Sequence, residues 1–325
     1  GGLVNTKPSL LLEPQSTNLI TYSEDFSNSY WTKGGVTTVT ANFASPDGQN
    51  NAYKLSGANG TDRTGNVLLR NFNTGNSTFS LYVKSLGSTK IRFYFRDGTT
   101  GAIVNSGSFS LTNEYQRLTF SHNVANLSNF YIGDTDGDVL IFGAQIEALT
   151  YATSYIPTNG STQTRAAETC NGAGTSSIFD DSEGILYCEI AALTDLGSYR
   201  LISLSDGTSV SNRITILYNI ADNQIYGQCV ASSSTQAFVL FEPTSISDFH
   251  KIAFKYKAND FQLWVDGVKV GTDTSGSAPT GLSMLSFDRA DGVDDWYGKV
   301  RDIRVYNTKE MTDSEVDILL TKITS

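Results

Sequence analysis

The sequence of 325 residues predicts an all-β chain built as two tandem antiparallel β-sandwiches (jelly rolls), closed by a short C-terminal helix. Three observations carry this expectation. Apolar residues alternate with polar ones over short runs broken by Gly, Asn and Asp, the pattern of half-buried strands. The composition, with 29 Gly, 16 Tyr, 17 Phe and 17% charged residues, suits strands and turns. A helical stripe occurs once, near the C-terminus. At roughly 150 residues per domain, the length suggests about two domains.

Residues 1–20 read as an arm leading into the first domain, with an apolar patch at Leu10–Leu12 between Pro8 and Pro14. The opening Gly1-Gly2, without Met, reads as part of a longer or processed chain. The first sandwich is placed at residues 21–160. Its strands are expected at Val36–Phe43, Ala52–Leu55, Val67–Phe72, Phe79–Lys84, Ile91–Phe95, Ser108–Leu111, Gln116–Ser121, Phe130–Ile132 and Val139–Ile146. Two of these resolve by face. Phe79, Leu81 and Val83 point inward, opposite Tyr82 and Lys84. Ile91, Phe93 and Phe95 point inward, opposite Arg92 and Tyr94, ahead of an Asp97-Gly98 turn. If the two strands pair through Ser85–Thr89, then Tyr82, Lys84, Arg92 and Tyr94 form one polar-aromatic patch, able to stack on a sugar ring. An ordinary solvated sheet face gives the same pattern.

Residues 157–176 are rich in Pro, Gly, Ser and Thr without periodicity, so the boundary falls there and the linker is placed at 161–176. The second sandwich occupies 177–325. Its most legible stretch is Phe249–Gly271. Ile252, Phe254 and Tyr256 alternate with lysines, Ala258–Asp260 turns, Phe261, Leu263 and Val265 resume, and Asp266-Gly267 signals a type I′ hairpin into Val268 and Val270. Trp264 lies in the polar phase of its strand, either covered by a loop or by the other domain, or exposed to a sugar or partner subunit. Val300 is out of phase with Ile303 and Val305, which predicts a bulge near Arg301–Asp302. Thr312 and Glu315 form a capping box for a helix with a stripe of Val316, Leu319, Leu320 and Ile323; a helix this short must dock on the sandwich.

Two resemblances follow from these motifs. The "FQLWVDGVKVG" hairpin and the ending "YGKVRDIRVYNTKEMTDSEVDIL" resemble laminin-G-like, or concanavalin A-like, lectin domains over about residues 175–323. The pair "PSLLLEPQSTNLITYSEDFSNSYWTK" and "DVLIFGAQIEALTYATSYIPTNGSTQTRAAE", at the two ends of residues 8–168, resembles modules of tailed-phage tail fibres and other virion proteins, themselves similar to carbohydrate-binding jelly rolls. The resemblance implies a virion or extracellular location, a cell-surface glycan and other virion proteins as partners, and a homotrimer.

Net charge is −10, and residues 1–160 hold 10 Lys+Arg against 11 Asp+Glu while residues 161–325 hold 13 against 22. No basic stripe of a nucleic-acid binder and no apolar run long enough to span a membrane occurs. Of three cysteines, Cys188 is expected to be a buried thiol, Cys170 sits in a loop and Cys229 in "IYGQCV", and one disulfide among the three is left open. Asp288, Asp291, Asp294 and Asp295 lie within eight residues and offer hard oxygen donors for Ca²⁺, as do Asp134, Asp136 and Asp138, although acidic Gly-rich turns are commonly only turns. No paired-carboxylate strand motif of a glycosidase and no nucleophile near His122 or His250 is evident. The expectation is a non-enzymatic receptor-binding protein of a phage tail that recognises glycan through Tyr82, Lys84, Arg92, Tyr94 and Trp264. The alternatives are a virion decoration protein that binds only protein, and accessory modules of a secreted polysaccharide-degrading enzyme.

Overall fold

A computed structural model describes residues 8–60, 68–72, 77–97, 100–122, 128–193 and 199–325, with backbone alone at 69–72, 122 and 128. Val67, Gly98 and the His122 side chain, named above, lie outside what is described. The chain is nearly all β, with antiparallel sheets and one helix. It forms two compact units, one of residues 15–166 and one that joins the segment before Gln15 to residues 167–325.

In the first unit, one sheet runs Gln116–His122, Ser77–Leu86, Asp138–Glu147, Ala52–Ser56, Thr38–Phe43. The second runs Thr32–Lys33, Leu68–Phe72, Ser128–Gly133, Lys90–Asp97, Ile103–Ser110. Phe79, Leu81 and Val83 from one and Ile91, Phe93 and Phe95 from the other interdigitate in a common core with Phe130, Ile132 and Ile141. The inward parity read from the sequence therefore holds. The pairing does not: Ser77–Leu86 bonds Gln116–His122 and Asp138–Glu147, whereas Lys90–Asp97 bonds Ser128–Gly133 and Ile103–Ser110. The short Gly87–Thr89 connection crosses between sheets. Asp136 anchors it, accepting from the Ser88 hydroxyl at 2.7 Å and the Thr89 amide at 2.7 Å.

In the second unit, one sheet runs Leu10–Leu12, Gly298–Asn307, Glu183–Ala192, His250–Lys257, Phe261–Val265, Val268–Asp273. The other runs Asn171–Ala173, Met284–Ser286, Tyr199–Ser205, Arg213–Asn219, Gln224–Ala231, Ser234–Phe241. Their inner faces share a core of Leu186, Cys188, Ile202, Ile216, Phe254 and Trp296. Gly227 permits this closeness, since a Cβ there would stand 2.2 Å from the Phe254 ring. The expected turn is present, with Asp266 at φ 48° and Gly267 at φ 83°. The bulge is present too: Glu189 pairs with Asp302 but Ile190 with Val300, leaving Arg301 unmatched.

Two differences from the sequence reading concern the ends of the modules. Leu10–Leu12, read as part of an arm to the first sandwich, is an edge strand of the second, paired with Gly298–Val300. The 161–176 stretch is ordered by pairing rather than left as a loose link: Gln163–Arg165 bonds Ser16–Asn18 and Asn171–Ala173 bonds Met284–Ser286. Short polar strands such as these carry no apolar alternation, so period two could not reveal them.

Candidate functional site

The helix Asp313–Thr324 begins at the Thr312 capping box and covers the outer face of the sheet that holds Trp264. Ile185, Tyr187, Ala253 and Trp264 pack there against Val316 and Leu320. Trp264 is 7% exposed and donates through its indole N–H to Gln262 at 3.1 Å. The ring is covered, but by this helix rather than by a loop or the other domain, and it offers no face to a sugar.

The four-residue patch of the first sandwich is not formed. Tyr82 and Lys84 lie on the outer face of one sheet, Arg92 and Tyr94 on that of the other. Tyr82 neighbours Phe142 and Tyr155, with the Arg117 guanidinium 5.5 Å from its ring, and Lys84 stands 5.8 Å from the Tyr115 ring. Arg92 donates to the Ser106 hydroxyl at 2.7 Å. Tyr94 is fully buried, stacked on Tyr131 at 5.1 Å and 9°, so it too is closed to a ligand.

The acidic loop is likewise internally engaged. Asp288 is buried and accepts from the Asn171 amide at 2.8 Å and the Ala290 N–H at 2.5 Å. Burial raises its pKa. Asp291 accepts two bonds from Arg289, at 3.2 and 2.7 Å, which pull its pKa down. Asp294 lies 3.6 Å from the same guanidinium, and Asp295 accepts from the Tyr297 hydroxyl at 3.0 Å. Arg289 thus sets a positive charge beside two of the four carboxylates, Asp291 and Asp294. In the other acidic loop, Asp134 pairs with Lys90 at 2.8 Å. Among the described residues, no three His, Cys, Asp or Glu side chains form a metal-binding group. All three cysteines are free thiols; Cys188 and Cys229 are buried and Cys170 is exposed.

The outer face of the other sheet is closed over Ser203, Thr215 and Ser286 and open toward the strands Gln224–Ala231 and Ser234–Phe241. There the side chains alternating with the core residues Ile202, Ile214, Ile216, Ala237 and Val239 point away from the core. Register sets Leu201 beside Leu217, Leu217 beside Tyr226, and Gln228 beside Phe238. The result is a groove of about 260 Å³ lined by Tyr199, Tyr226, Gln228, Phe238 and Arg213, with Arg289 and Asp294 from the 288–295 loop at its rim. Tyr199 is 47% and Phe238 50% exposed, and the Tyr226 and Phe238 rings lie 4.7 Å apart. Large rings held half in water cost hydration free energy, which a bound apolar surface would recover. A polar row adjoins the groove: Ser286, Ser203, Thr215 and Gln228 are successive cross-strand partners. The hydroxyls of the first three are buried without a partner among the described residues. Aromatic faces beside an amide and guanidinium donors match the two surfaces of a saccharide, its C–H face and its oxygens.

Sequence reasoning missed this groove, although a signal was present. In Tyr226 and in Phe238 and Leu240, large apolar residues occupy the phase opposite the core register, where a solvated sheet would carry polar ones. The first unit also holds open polar clefts, of about 550 and 390 Å³, that share Glu24, Thr158 and Asn159.

Comparison with known proteins agrees with the fold. Residues 191–317 match the family model of the concanavalin A-like lectin/glucanases superfamily, of the laminin G type. No curated protein matches the chain. Among solved structures, the CBM40 of the Ruminococcus gnavus IT-sialidase is similar, with TM-score 0.37 and 12% identity over 47% of this chain and 96% of that one. A SAP-like pentraxin of Limulus polyphemus gives TM-score 0.34 and 10% identity over 48% and 74%. A Caenorhabditis elegans galectin gives TM-score 0.31 and 10% identity over 43% and 91%.

Proposed function

We propose that the chain is a non-catalytic glycan-binding protein whose C-terminal sandwich takes saccharide in the groove of Tyr199, Tyr226, Gln228 and Phe238. The observation that carries this reading is the pair of half-exposed aromatic rings, Tyr199 and Phe238, beside amide and guanidinium donors on the sheet opposite the one the C-terminal helix covers. The match of residues 191–317 to a lectin and glucanase superfamily supports it. Hydrolysis of a glycosidic bond uses two carboxyl groups flanking that bond. The described groove lining holds one, Asp294, beside Arg289.

The setting we propose is a tailed-phage tail or receptor-binding protein, extracellular at the virion surface, with cell-surface glycan and other virion proteins as partners and three copies per assembly. The resemblance of residues 8–168 to tail-fibre modules supports this setting. Light scattering should return three times the chain mass; a monomer would count against the tail reading. The binding reading is tested on a glycan array with and without EDTA. Binding in both conditions is expected, because the groove contacts require no cation. Absence of binding by the folded chain, or binding abolished by EDTA, would contradict it.

A further inference from the structure

Arg213 is a half-buried cation with no ion-pair partner among the described residues. It donates to the Val210 carbonyl and, at 3.4 Å, to the Gln228 amide oxygen, both neutral. Its Nε is buried without an acceptor, and no carboxylate stands within ion-pair distance of it among the described residues. Arg289 lines the same groove. Burial, and after it the charge of Arg289, lowers the Arg213 pKa, with Asp291 opposing. Arg289 is held by Asp291 and lies 3.6 Å from Asp294, so the uncompensated charge of the groove is that of Arg213. A buried charge of this kind costs free energy until an opposite charge is brought to it.

We propose that the ligand of this groove is an acidic saccharide, a sugar bearing a carboxylate or sulfate group. Arg213, whose hydrogen bonds go only to neutral oxygens, binds the oxyanion while the sugar's apolar face lies on Tyr226 and Phe238. Guanidinium forks suit planar carboxylate and sulfate oxygens better than ammonium groups do. Arg213, Tyr226 and Phe238 converge on one cleft of about 260 Å³, room for one or two sugar rings. This inference rests on the glycan-binding reading above and specifies its substrate class.

The test is an array of uronate-, sialate- and sulfate-bearing oligosaccharides, each printed beside its amidated or desulfated neutral counterpart, probed with the full chain. The acidic members should bind at least tenfold more tightly, less so as salt is raised, and the retained members tell carboxylate from sulfate. Arg213→Gln should lose at least tenfold on the acidic members, with Arg213→Lys retaining part. Gln228→Glu, which sets a carboxylate beside Arg213, gives the same readout should Arg213→Gln fold poorly, with melting curves reporting the fold. Equal binding of acidic and neutral members, both lost in Phe238→Ala, would overturn the acidic class and leave the groove reading standing. An acid preference that survives Arg213→Gln and Gln228→Glu would overturn the assignment of the anion to this groove. No binding by the folded parent to any member would overturn both readings.

Discussion

Trp264 shows how far a single residue can be read. Alternation along Phe261–Val265 put its ring on the face away from Leu263, which is where it lies. What covers that face, the helix Asp313–Thr324, comes some fifty residues later in the chain. Trp264→Ala should therefore cost stability rather than binding, by about 3–5 kcal/mol for truncation of a large buried aromatic. Urea denaturation measures this, and a change below ~1 kcal/mol would show the ring to be solvated. Cysteine supplies a second residue-scale prediction. Burial pushes the Cys229 pKa up to about 12 and raises that of Cys188 well above its usual value. With the folded pKa raised, these thiols contribute stability at neutral pH that is lost as pH rises above the unfolded value of about 8.5. A melting series from pH 7 to 10 should fall, and only Cys170 should react with a thiol reagent in the native state. Rapid native labelling of all three thiols would contradict the burial.

At the scale of elements, parity was legible and partnership was not. Period two says which side chains face the core but not which strand lies alongside, because any neighbour with an apolar inner face satisfies it. Hence Tyr82 and Arg92 each face outward as read, yet on different sheets. The turn after Ser85 is short enough for a hairpin but crosses the sandwich, a choice set by contacts with Gln116–His122 and Asp138–Glu147 far along the chain. Where local chemistry decides, as at Asp266-Gly267, the Arg301 bulge and the capping box, the sequence sufficed. The cap is testable: Thr312→Ala removes the hydroxyl that accepts from the Glu315 amide, at a cost of about 1 kcal/mol. Because Trp264 and Tyr187 lie beneath this helix, its fraying should raise binding of a hydrophobic dye; an unchanged denaturation midpoint would show the cap to be idle. The Asp288–Asp295 loop gives the opposite expectation to that drawn from its composition. With Arg289 bound to Asp291 and near Asp294, melting should be the same in EDTA and in millimolar calcium. A rise of several degrees with calcium would show that the cation displaces Arg289.

At the scale of the molecule, the boundary between modules was placed from composition, and composition does not register short edge strands. The second unit takes Leu10–Leu12 from before the first, and Asn171–Ala173 from the stretch assigned to the linker. A fragment of residues 167–325 should melt at a higher temperature than one of 177–325, which loses Asn171–Ala173 and the Asn171 amide held by Asp288. Identical melting of the two would show these contacts to be dispensable. The central claim is that glycan recognition resides in the groove of the second sandwich. Its most direct test is titration of the best array ligand into the parent chain and into Tyr226→Ala/Phe238→Ala. Both rings lie on the outer face, so the fold should hold, while stacking contacts of this kind are worth about 1–3 kcal/mol together. The account predicts a loss of affinity of about tenfold or more, by that measure, with an unchanged melting curve. A double variant that folds as the parent does and binds as tightly would contradict it.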